Sequence, residues 1–327
     1  MKRLEKIIIK TLSTKKIGMG HLSGMLFINK ELKKNYNVLF IINDDKAGIN
    51  LLNQNKVSFK VDKNFKMNCE ILDQKSDLII YDYPMNKLKI TKKIKCKTIF
   101  YSNSKYKILS NANIVIASHN AQSKIKYPNN FYTSFDYKLF EYERYEYKFS
   151  SNINLCMVCL GGTDKKRFTK KVLEVLEETD LKINFLVFLR SEYIHPKELD
   201  FYNKINKENI KIIYDLNSVA PYVKKIDFAI VSAGNILLQI CKANIPNISL
   251  PQSNNEFEGA KVLESLKCTF LGLENNKSFS KEYFKNLILN KALKLQNRKT
   301  QSQALKEKFS KEFLGNHISL IENLANS

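Results

Sequence analysis

A histidine that directly follows a glycine-rich turn is the first candidate for acid–base chemistry in this sequence. His21 stands in the segment IGMGHLSG, residues 17–24, after Gly18 and Gly20 and shortly after the apolar run IIIK. The dipole at a helix N-terminus disfavours the cationic form of a histidine. We therefore expect His21 to be neutral near neutral pH, as a general base must be. The alternative is a residue that only caps the helix.

A glycine pair in the second half of the chain is a candidate anion site. In CLGGTDKKRFTKK, residues 159–171, an apolar run meets Gly161 and Gly162 before a helical stretch. Glycine lets the backbone approach a ligand closely, and Thr163 or Asp164 can cap the helix that follows. Free N–H groups at a helix start bind phosphate. An ordinary strand-to-helix turn has the same composition, and the segment matches neither a Walker A loop nor the full dinucleotide fingerprint.

Two further turns of this kind follow. The segment AIVSAGNILLQICKANIP, residues 229–246, predicts a strand, a small-residue turn and a helix, hence a second phosphate site and a side chain that could reach a sugar hydroxyl. The segment LPQSNNEFEGAKVLESLKC, residues 250–268, predicts a polar loop before a helix from about Glu256. A solvated helix position and a simple N-cap are the alternatives. The candidate residues are Ser232, Ala233, Gly234, Asn235 and Gln239 in the first turn and Asn254, Asn255 and Glu256 in the second.

The elements that must position these residues alternate between short apolar runs and longer amphipathic stretches. Near-continuous apolar strands are typical of parallel sheets covered on both faces. Between the first two runs, residues 21–34 have apolar side chains at helical spacing. The predicted strands are 6–10, 36–43, 77–83, 97–102 and 113–118 in the first half, and 153–162, 183–190, 210–215, 227–234, 247–251 and 268–273 in the second.

This pattern predicts an α/β chain of two doubly wound, Rossmann-like lobes. The N-terminal lobe would comprise residues 1–140 and the C-terminal lobe residues 153–310, with a charged, tyrosine-rich linker at 141–152 and a C-terminal helix at 311–327. Ligands of open α/β sheets bind at the carboxyl ends of the strands. We therefore expect the ligand in a cleft between the two lobes.

Composition narrows the class of partner. The 327 residues carry a formal net charge of +22, but only five of the basic residues are arginine. Base readout and bidentate phosphate contacts favour arginine, so we do not expect nucleic-acid binding, whereas weak attraction to anionic membrane surfaces needs no specific site. No run is long enough for a membrane span or signal peptide, which predicts a cytoplasmic protein. We expect no metal site, since the pair Cys156 and Cys159 has no second pair at zinc spacing.

The order of these motifs resembles that of GT-B nucleotide-sugar enzymes. Gly-x-Gly-His comes first, Gly-Gly-Thr-Asp opens the second lobe, and Ser-Ala-Gly and a late Asn/Glu loop follow. The chain is most similar to the UDP-sugar hydrolases of pseudaminic acid biosynthesis (PseG-type, related to the SpsG polysaccharide proteins), and more distantly to the cell-wall N-acetylglucosaminyltransferase. The segment FDYKLFEYE, residues 135–143, is similar to the family segment that precedes the second lobe.

The resemblance implies a role for each motif. His21 would act as base on an attacking water, with Gly18, Gly20 and Asp82 at the substrate. The three turns would hold the nucleotide phosphates, the ribose (near Gln239) and the sugar, and no cofactor is implied. The chain departs from the family pattern in having Gly24, Pro84 and Phe140 where relatives have arginine, tyrosine and arginine, and Gln239 in place of glutamate.

Three functions follow from this resemblance. The first is a hydrolase that cleaves the anomeric C–O bond of a UDP-amino sugar with inversion and releases UDP, in nonulosonic acid or surface polysaccharide biosynthesis. The second is a GT-B glycosyltransferase of capsule, lipopolysaccharide or flagellin glycosylation, which the missing arginine and tyrosine favour. The third is a catalytically inactive protein that binds a nucleotide sugar.

Overall fold

The chain divides into two compact units. A computed structural model describes residues 5–14, 19–63, 76–82, 96–101, 112–116, 130–132, 137, 139–140, 142, 149–161, 164–189, 194–205, 208–216, 218–275, 278–309 and 313–326. Unit 1 comprises Met1–Glu141 and Lys311–Ser327, and unit 2 comprises Tyr142–Ser310. The residues of the predicted linker from 142 onward therefore group with unit 2.

Unit 1 is built on a parallel sheet of seven strands in the order β3-β2-β1-β4-β5-β6-β7. Its first helices are α1, Gly20–Leu32, and α2, Lys46–Gln54. Successive strands are added on one side of β1 up to β3 and on its other side from β4 onward, so the strand order reverses between β1 and β4. Ligands of such folds bind at this switch point. The strands are β1 Lys6–Thr11, β2 Asn37–Ile42, β3 Phe59–Val61, β4 Leu78–Asp82, β5 Lys97–Tyr101, β6 Ile114–Ile116 and β7 Phe131–Tyr132.

Both faces of the unit 1 sheet are buried, as the near-continuous apolar strands predict. Along β1, Ile7 and Ile9 belong to the apolar cluster that includes α1, and Ile8 belongs to a second cluster that includes Tyr81 and Phe100. Alternate residues of a strand point to opposite faces. An apolar residue at every position is therefore what a sheet covered on both sides requires.

Unit 2 repeats this topology with a parallel sheet of six strands in the order β10-β9-β8-β11-β12-β13. Its strands are β8 Leu155–Cys159, β9 Asn184–Leu189, β10 Ile210–Tyr214, β11 Phe228–Val231, β12 Asn247–Ser249 and β13 Phe270–Leu271. Its helices are α3 Phe168–Glu177, α4 Pro196–Lys204, α5 Ala220–Val223, α6 Asn235–Lys242, α7 Asn254–Ser265, α8 Lys281–Leu287, a π-helical turn Ile288–Ala292, and α9 Leu295–Phe309. The switch point here lies between β8 and β11.

The last helix, α10, Phe313–Asn326, returns to unit 1. Its Leu320, Ile321 and Leu324 join the apolar cluster on the α1 face of the first sheet. The Lys97 ammonium donates to the Leu324 carbonyl at 2.6 Å, so polar contacts also hold the helix in place. The sequence predicts a C-terminal helix at 311–327, and in the structure α9 ends at Phe309 and α10 is a separate helix.

Within the described part of the chain, no helix has the length and apolar character needed to span a membrane.

Candidate functional site

His21 is the second residue of α1, and its imidazole pairs with Asp82 at the end of β4. Nδ1 of His21 lies 2.8 Å from Oδ1 of Asp82. A carboxylate can only accept, so Nδ1 carries the proton and a neutral imidazole presents the lone pair of Nε2. The His21 side chain is 25% exposed and that of Asp82 9%. The pair is therefore a buried carboxylate that fixes the tautomer and orientation of a partly accessible base.

The pKa of His21 is shifted in the direction opposite to the one that the helix dipole predicts. Burial of the imidazole disfavours its cationic form, but the charge of Asp82 and its hydrogen bond outweigh that effect and raise the pKa of His21 above its usual value. The sequence argument from the dipole does not include this contribution of Asp82. The sequence argument considered only the helix that His21 starts and not the carboxylate 61 residues away.

The Asp82 carboxylate should control the ionisation of His21. In Asp82→Asn we expect the pKa of His21 to fall, because the Coulombic attraction is lost while burial remains. NMR titration of the His21 ring, assigned with His21→Gln, measures this directly. Since the folded pKa is raised, the pair stabilises the protein fully below the unfolded pKa, and that contribution disappears as the pH rises through the folded pKa. A His21 pKa that does not fall in Asp82→Asn would contradict this account.

Gly24, where the resemblance implies arginine, lies one turn further along α1. A Cβ at Gly24 would lie 3.6 Å from Cδ2 of Leu139, in ordinary contact. Phe140, which follows Leu139 and stands where the resemblance implies a second arginine, is 1% exposed. Both positions are thus apolar, and neither offers a guanidinium to a substrate.

In unit 2, the turn after β8 carries Asp164, whose carboxylate binds the first backbone N–H groups of α3. Oδ1 of Asp164 accepts from the backbone N–H of Phe168 at 2.9 Å, and Oδ2 accepts from that of Thr169 at 2.8 Å. The predicted Asp164 cap is confirmed. These two N–H groups already bond to the Asp164 carboxylate, so they are not available to an anion.

The N-terminus of α6 differs, because Gly234 precedes it and no side chain caps it. The backbone at Gly161 and at Gly234 approaches side chains of neighbouring loops closely. Gly161 has φ +87°, and a Cβ there would lie 3.2 Å from Oγ of Ser232. A Cβ at Gly234 would lie 3.7 Å from Oε1 of Glu256. Gly161, Ser232, Gly234 and Glu256 therefore converge at the carboxyl edge of the unit 2 sheet, at its switch point.

Glu256 brings an acidic side chain to this edge. Burial raises the pKa of its carboxyl, and the hydrogen bond from the Gln252 N–H and the charges of Lys165 and Lys166 offset that only in part. Oε2 accepts from the Gln252 N–H at 2.7 Å, while Ser253 caps α7 by accepting from the Glu256 N–H at 3.3 Å. The carboxyl is therefore held in one position beside the Gly234 turn.

Comparison with known proteins agrees with this architecture. No protein-family model matches the chain. It is 25% identical over 262 residues to the spore coat polysaccharide biosynthesis protein SpsG of Bacillus subtilis strain 168, a match that covers 75% of this chain and 77% of that protein. The structure of Acinetobacter baumannii MurG superposes with a TM-score of 0.68 at 11% identity, over 98% of this chain and 99% of that one. The chain has a GT-B fold.

A second solved structure of this fold carries ligands. The Anabaena protein Alr3699/HepE in complex with UDP and glucose superposes with a TM-score of 0.57 at 11% identity, over 99% of this chain and 100% of that one. At such identity the likeness is one of fold. It agrees with the α/β class and the two Rossmann-like units that the sequence predicts.

The remaining predicted site residues differ in exposure, and some lie outside the described part of the chain. Three of them, Gly18, Gly162 and Thr163, lie outside the described residues, as does Pro84. Gly20 is exposed at the start of α1. The half-buried residues of the second turn and α6 are Ala233, Asn235 and Gln239, and the exposed ones at the start of α7 are Asn254 and Asn255. Among the described residues, no group of three or more His, Cys, Asp or Glu could hold a metal ion.

Sequence reasoning missed Gln252 and Lys166 in this GT-B unit. Both carry hydrogen bonds between the turn after β8 and the loop after β12, where Gln252 Oε1 accepts from the Lys166 N–H at 3.0 Å. Gln252 directly follows the predicted strand 247–251, and that position is the available signal. The candidate residues predicted in this loop begin only at Asn254.

Proposed function

We propose that the chain is an inverting nucleotide-sugar enzyme of surface polysaccharide biosynthesis. The observation that carries this proposal is the His21–Asp82 pair, with Nδ1 and Oδ1 2.8 Å apart at the switch point of one sheet. It is supported by the 25% identity to a polysaccharide biosynthesis protein and by a fold shared with a protein solved with UDP and glucose. The donor that we propose is a UDP-activated amino sugar.

The base chemistry belongs to unit 1. Nε2 of His21 takes the proton of an attacking O–H group as that oxygen bonds to the anomeric carbon, and the C–O bond to the diphosphate breaks with inversion. Asp82 holds the imidazole in the tautomer that can accept at Nε2 and stabilises the cation that forms. We therefore assign Asp82 to positioning of His21 rather than to substrate contact, because the carboxylate is buried against the ring.

Unit 2 supplies the groups that stabilise the leaving diphosphate. The start of α6, which has no side-chain cap, offers backbone N–H groups and the positive end of a helix dipole to the diphosphate as its charge develops. Gly161 and Gly234 leave room for close approach of the phosphates. Ser232, Asn235, Gln239, Asn254 and Asn255 are proposed to contact the rest of the nucleotide sugar.

The attacking O–H distinguishes two forms of the reaction. An acceptor hydroxyl is favoured by Gly24 and Phe140, which stand where the resemblance to PseG-type hydrolases implies arginine. Gly24 lies beside Leu139, and Phe140 is buried, so neither position offers a charged group to water or substrate. Water, as in those hydrolases, is the second candidate and is favoured by the Gly-x-Gly-His order at His21. The base has the same role in both forms.

Incubation with UDP-sugars in the absence of any acceptor tests the proposal. We expect UDP, TDP or their sugars to raise the unfolding temperature, because a ligand that binds only the folded state stabilises it. Release of free sugar without acceptor identifies the hydrolase, and release only after addition of an acceptor glycan identifies the transferase. If nucleotides raise the unfolding temperature but no sugar is released in either assay, the chain is a nucleotide-sugar-binding protein without catalytic activity. If no nucleotide raises the unfolding temperature, the proposal is refuted.

A further inference from the structure

The Gln252 side chain joins two separate loops of unit 2. Its amide oxygen accepts from the Lys166 N–H at 3.0 Å. Its amide nitrogen donates to Oδ1 of Asp164 at 2.7 Å and to the Leu160 carbonyl at 3.3 Å. All three partners belong to the turn that follows β8, 86 to 92 residues earlier in the chain.

The backbone of Gln252 fixes the other side of the junction. Its N–H donates to Oε2 of Glu256 at 2.7 Å, and the next residue, Ser253, caps α7. The Glu256 carboxyl lies beside the Gly234 turn, since its Oε1 is 3.7 Å from the position that a Cβ of residue 234 would occupy. Gln252 therefore holds the turn after β8 and the start of α7 in a single arrangement next to the start of α6.

The chemistry of this junction requires an amide. The site presents a carboxylate and a carbonyl that need a donor, and a backbone N–H that needs an acceptor. A primary amide supplies both, whereas a carboxylate has no donor and an ammonium no acceptor. The bond to Asp164 is also charge-assisted and hence stronger than a neutral one. That same Asp164 carboxylate closes the start of α3.

We infer that Gln252 is a positioning residue that sets the affinity of unit 2 for a nucleoside diphosphate. It would do so by fixing the spacing of the turn after β8 and the loop before α7 around the uncapped start of α6. This inference rests on the proposed function for the identity of the ligand. It concerns a residue that contacts the loops, and it assigns Gln252 no contact with the nucleotide.

Gln252→Glu tests the inference with little change in side-chain volume. The introduced carboxylate would face Asp164 and Glu256, with Lys165 and Lys166 the nearby cations, and would lose both donated bonds. We expect the Kd for UDP to rise about tenfold or more at pH near 8, because both donated bonds are lost and the introduced carboxylate lies against that of Asp164. Affinities are measured by calorimetry at a temperature where both proteins are folded. An unchanged Kd at this pH would overturn the inference.

An exchange of donor and acceptor provides the matched control. In Gln252→Glu combined with Asp164→Asn, the amide at position 164 can donate to the carboxylate at position 252, and the like-charge pair disappears, although one backbone N–H at the start of α3 loses its acceptor and the Leu160 carbonyl its donor. We expect the double variant to recover part of the affinity for UDP that Gln252→Glu alone loses. A residue that only stabilises the fold would lower the unfolding temperature and leave the affinity of the folded protein unchanged. Losses that simply add in the double variant would overturn the inference.

Hydrogen exchange separates this inference from the proposed function. If the parent protein binds neither UDP nor TDP, the proposed function fails, and the junction is tested without ligand. In Gln252→Ala the Lys166 amide loses its acceptor, so we expect exchange in the segment 160–170 to accelerate by about tenfold or more. Exchange there at the parental rate would show that Gln252 does not hold this turn.

Discussion

Replacement of His21 by alanine is expected to reduce kcat by about two to four orders of magnitude while the Kd for UDP stays within about twofold. The loss follows from removal of the group that accepts the proton, and the affinity is retained because the proposed phosphate contacts lie in unit 2. Steady-state turnover of the UDP-sugar identified in the screen, with calorimetry for UDP, measures the two quantities.

His21→Gln is the matched variant for this prediction. Its amide can still donate to Asp82, so the buried carboxylate keeps a partner, but an amide accepts no proton at neutral pH. We expect its kcat to fall as far as that of the alanine variant. More than about one tenth of the parental kcat in either variant would exclude His21 as the base. Recovery in the glutamine variant alone would assign the residue a structural role.

The largest expected effect on stability comes from Gly48→Ala. Gly48 lies in the first turn of α2, and a Cβ there would overlap Oγ of Ser13 and lie 2.8 Å from Cδ1 of Ile42. Ser13 is fixed, because its hydroxyl donates to Oδ2 of Asp45 at 2.8 Å, the same oxygen that caps α2. We expect a loss of about 2–3 kcal/mol in the free energy of unfolding, measured by urea denaturation of unit 1.

Gly259→Ala is the control, since it makes the same substitution in another helix. Gly259 is exposed within α7, and a Cβ there would meet no atom within 4 Å. Alanine should stabilise this helix by about 0.5–1 kcal/mol, because glycine loses more backbone freedom on folding. The two substitutions should therefore change stability in opposite directions. A Gly48→Ala protein at least as stable as the parent would mean that helix propensity, and not the contact with Ser13, determines the effect at Gly48.

The strands could be read from the sequence wherever burial on both faces makes an apolar run. All eleven predicted strands occur, and their carboxyl ends place Asp82, Gly161 and Ser232 at the switch points. Two strands, β3 and β7, were missed. Both are edge strands of two or three residues, and two of the three residues of β3 are exposed, so neither has an apolar run to detect.

The side-chain contacts of the candidate site could not be predicted from local sequence patterns. His21 and Asp82 are 61 residues apart, and Asp164 and Gln252 are 88 apart, so each pair depends on sheet register and loop path. From the local sequence, Asp164 could be predicted to cap the following helix, but a phosphate site was predicted at the same helix start. Only the tertiary structure shows that the carboxylate occupies those N–H groups, which leaves α6 as the better anion site.

The return of α10 to unit 1 has a consequence for biosynthesis on the ribosome. The α1 face of the first sheet takes Leu320, Ile321 and Leu324 from α10, which follows unit 2 in the sequence. Unit 2 can complete its core as soon as residue 310 has emerged, whereas unit 1, although its strands are synthesised earlier, keeps an uncovered apolar face until α10 has emerged. Folding of unit 1 therefore finishes after that of unit 2, and residues 1–141 expressed alone would lack part of their own core.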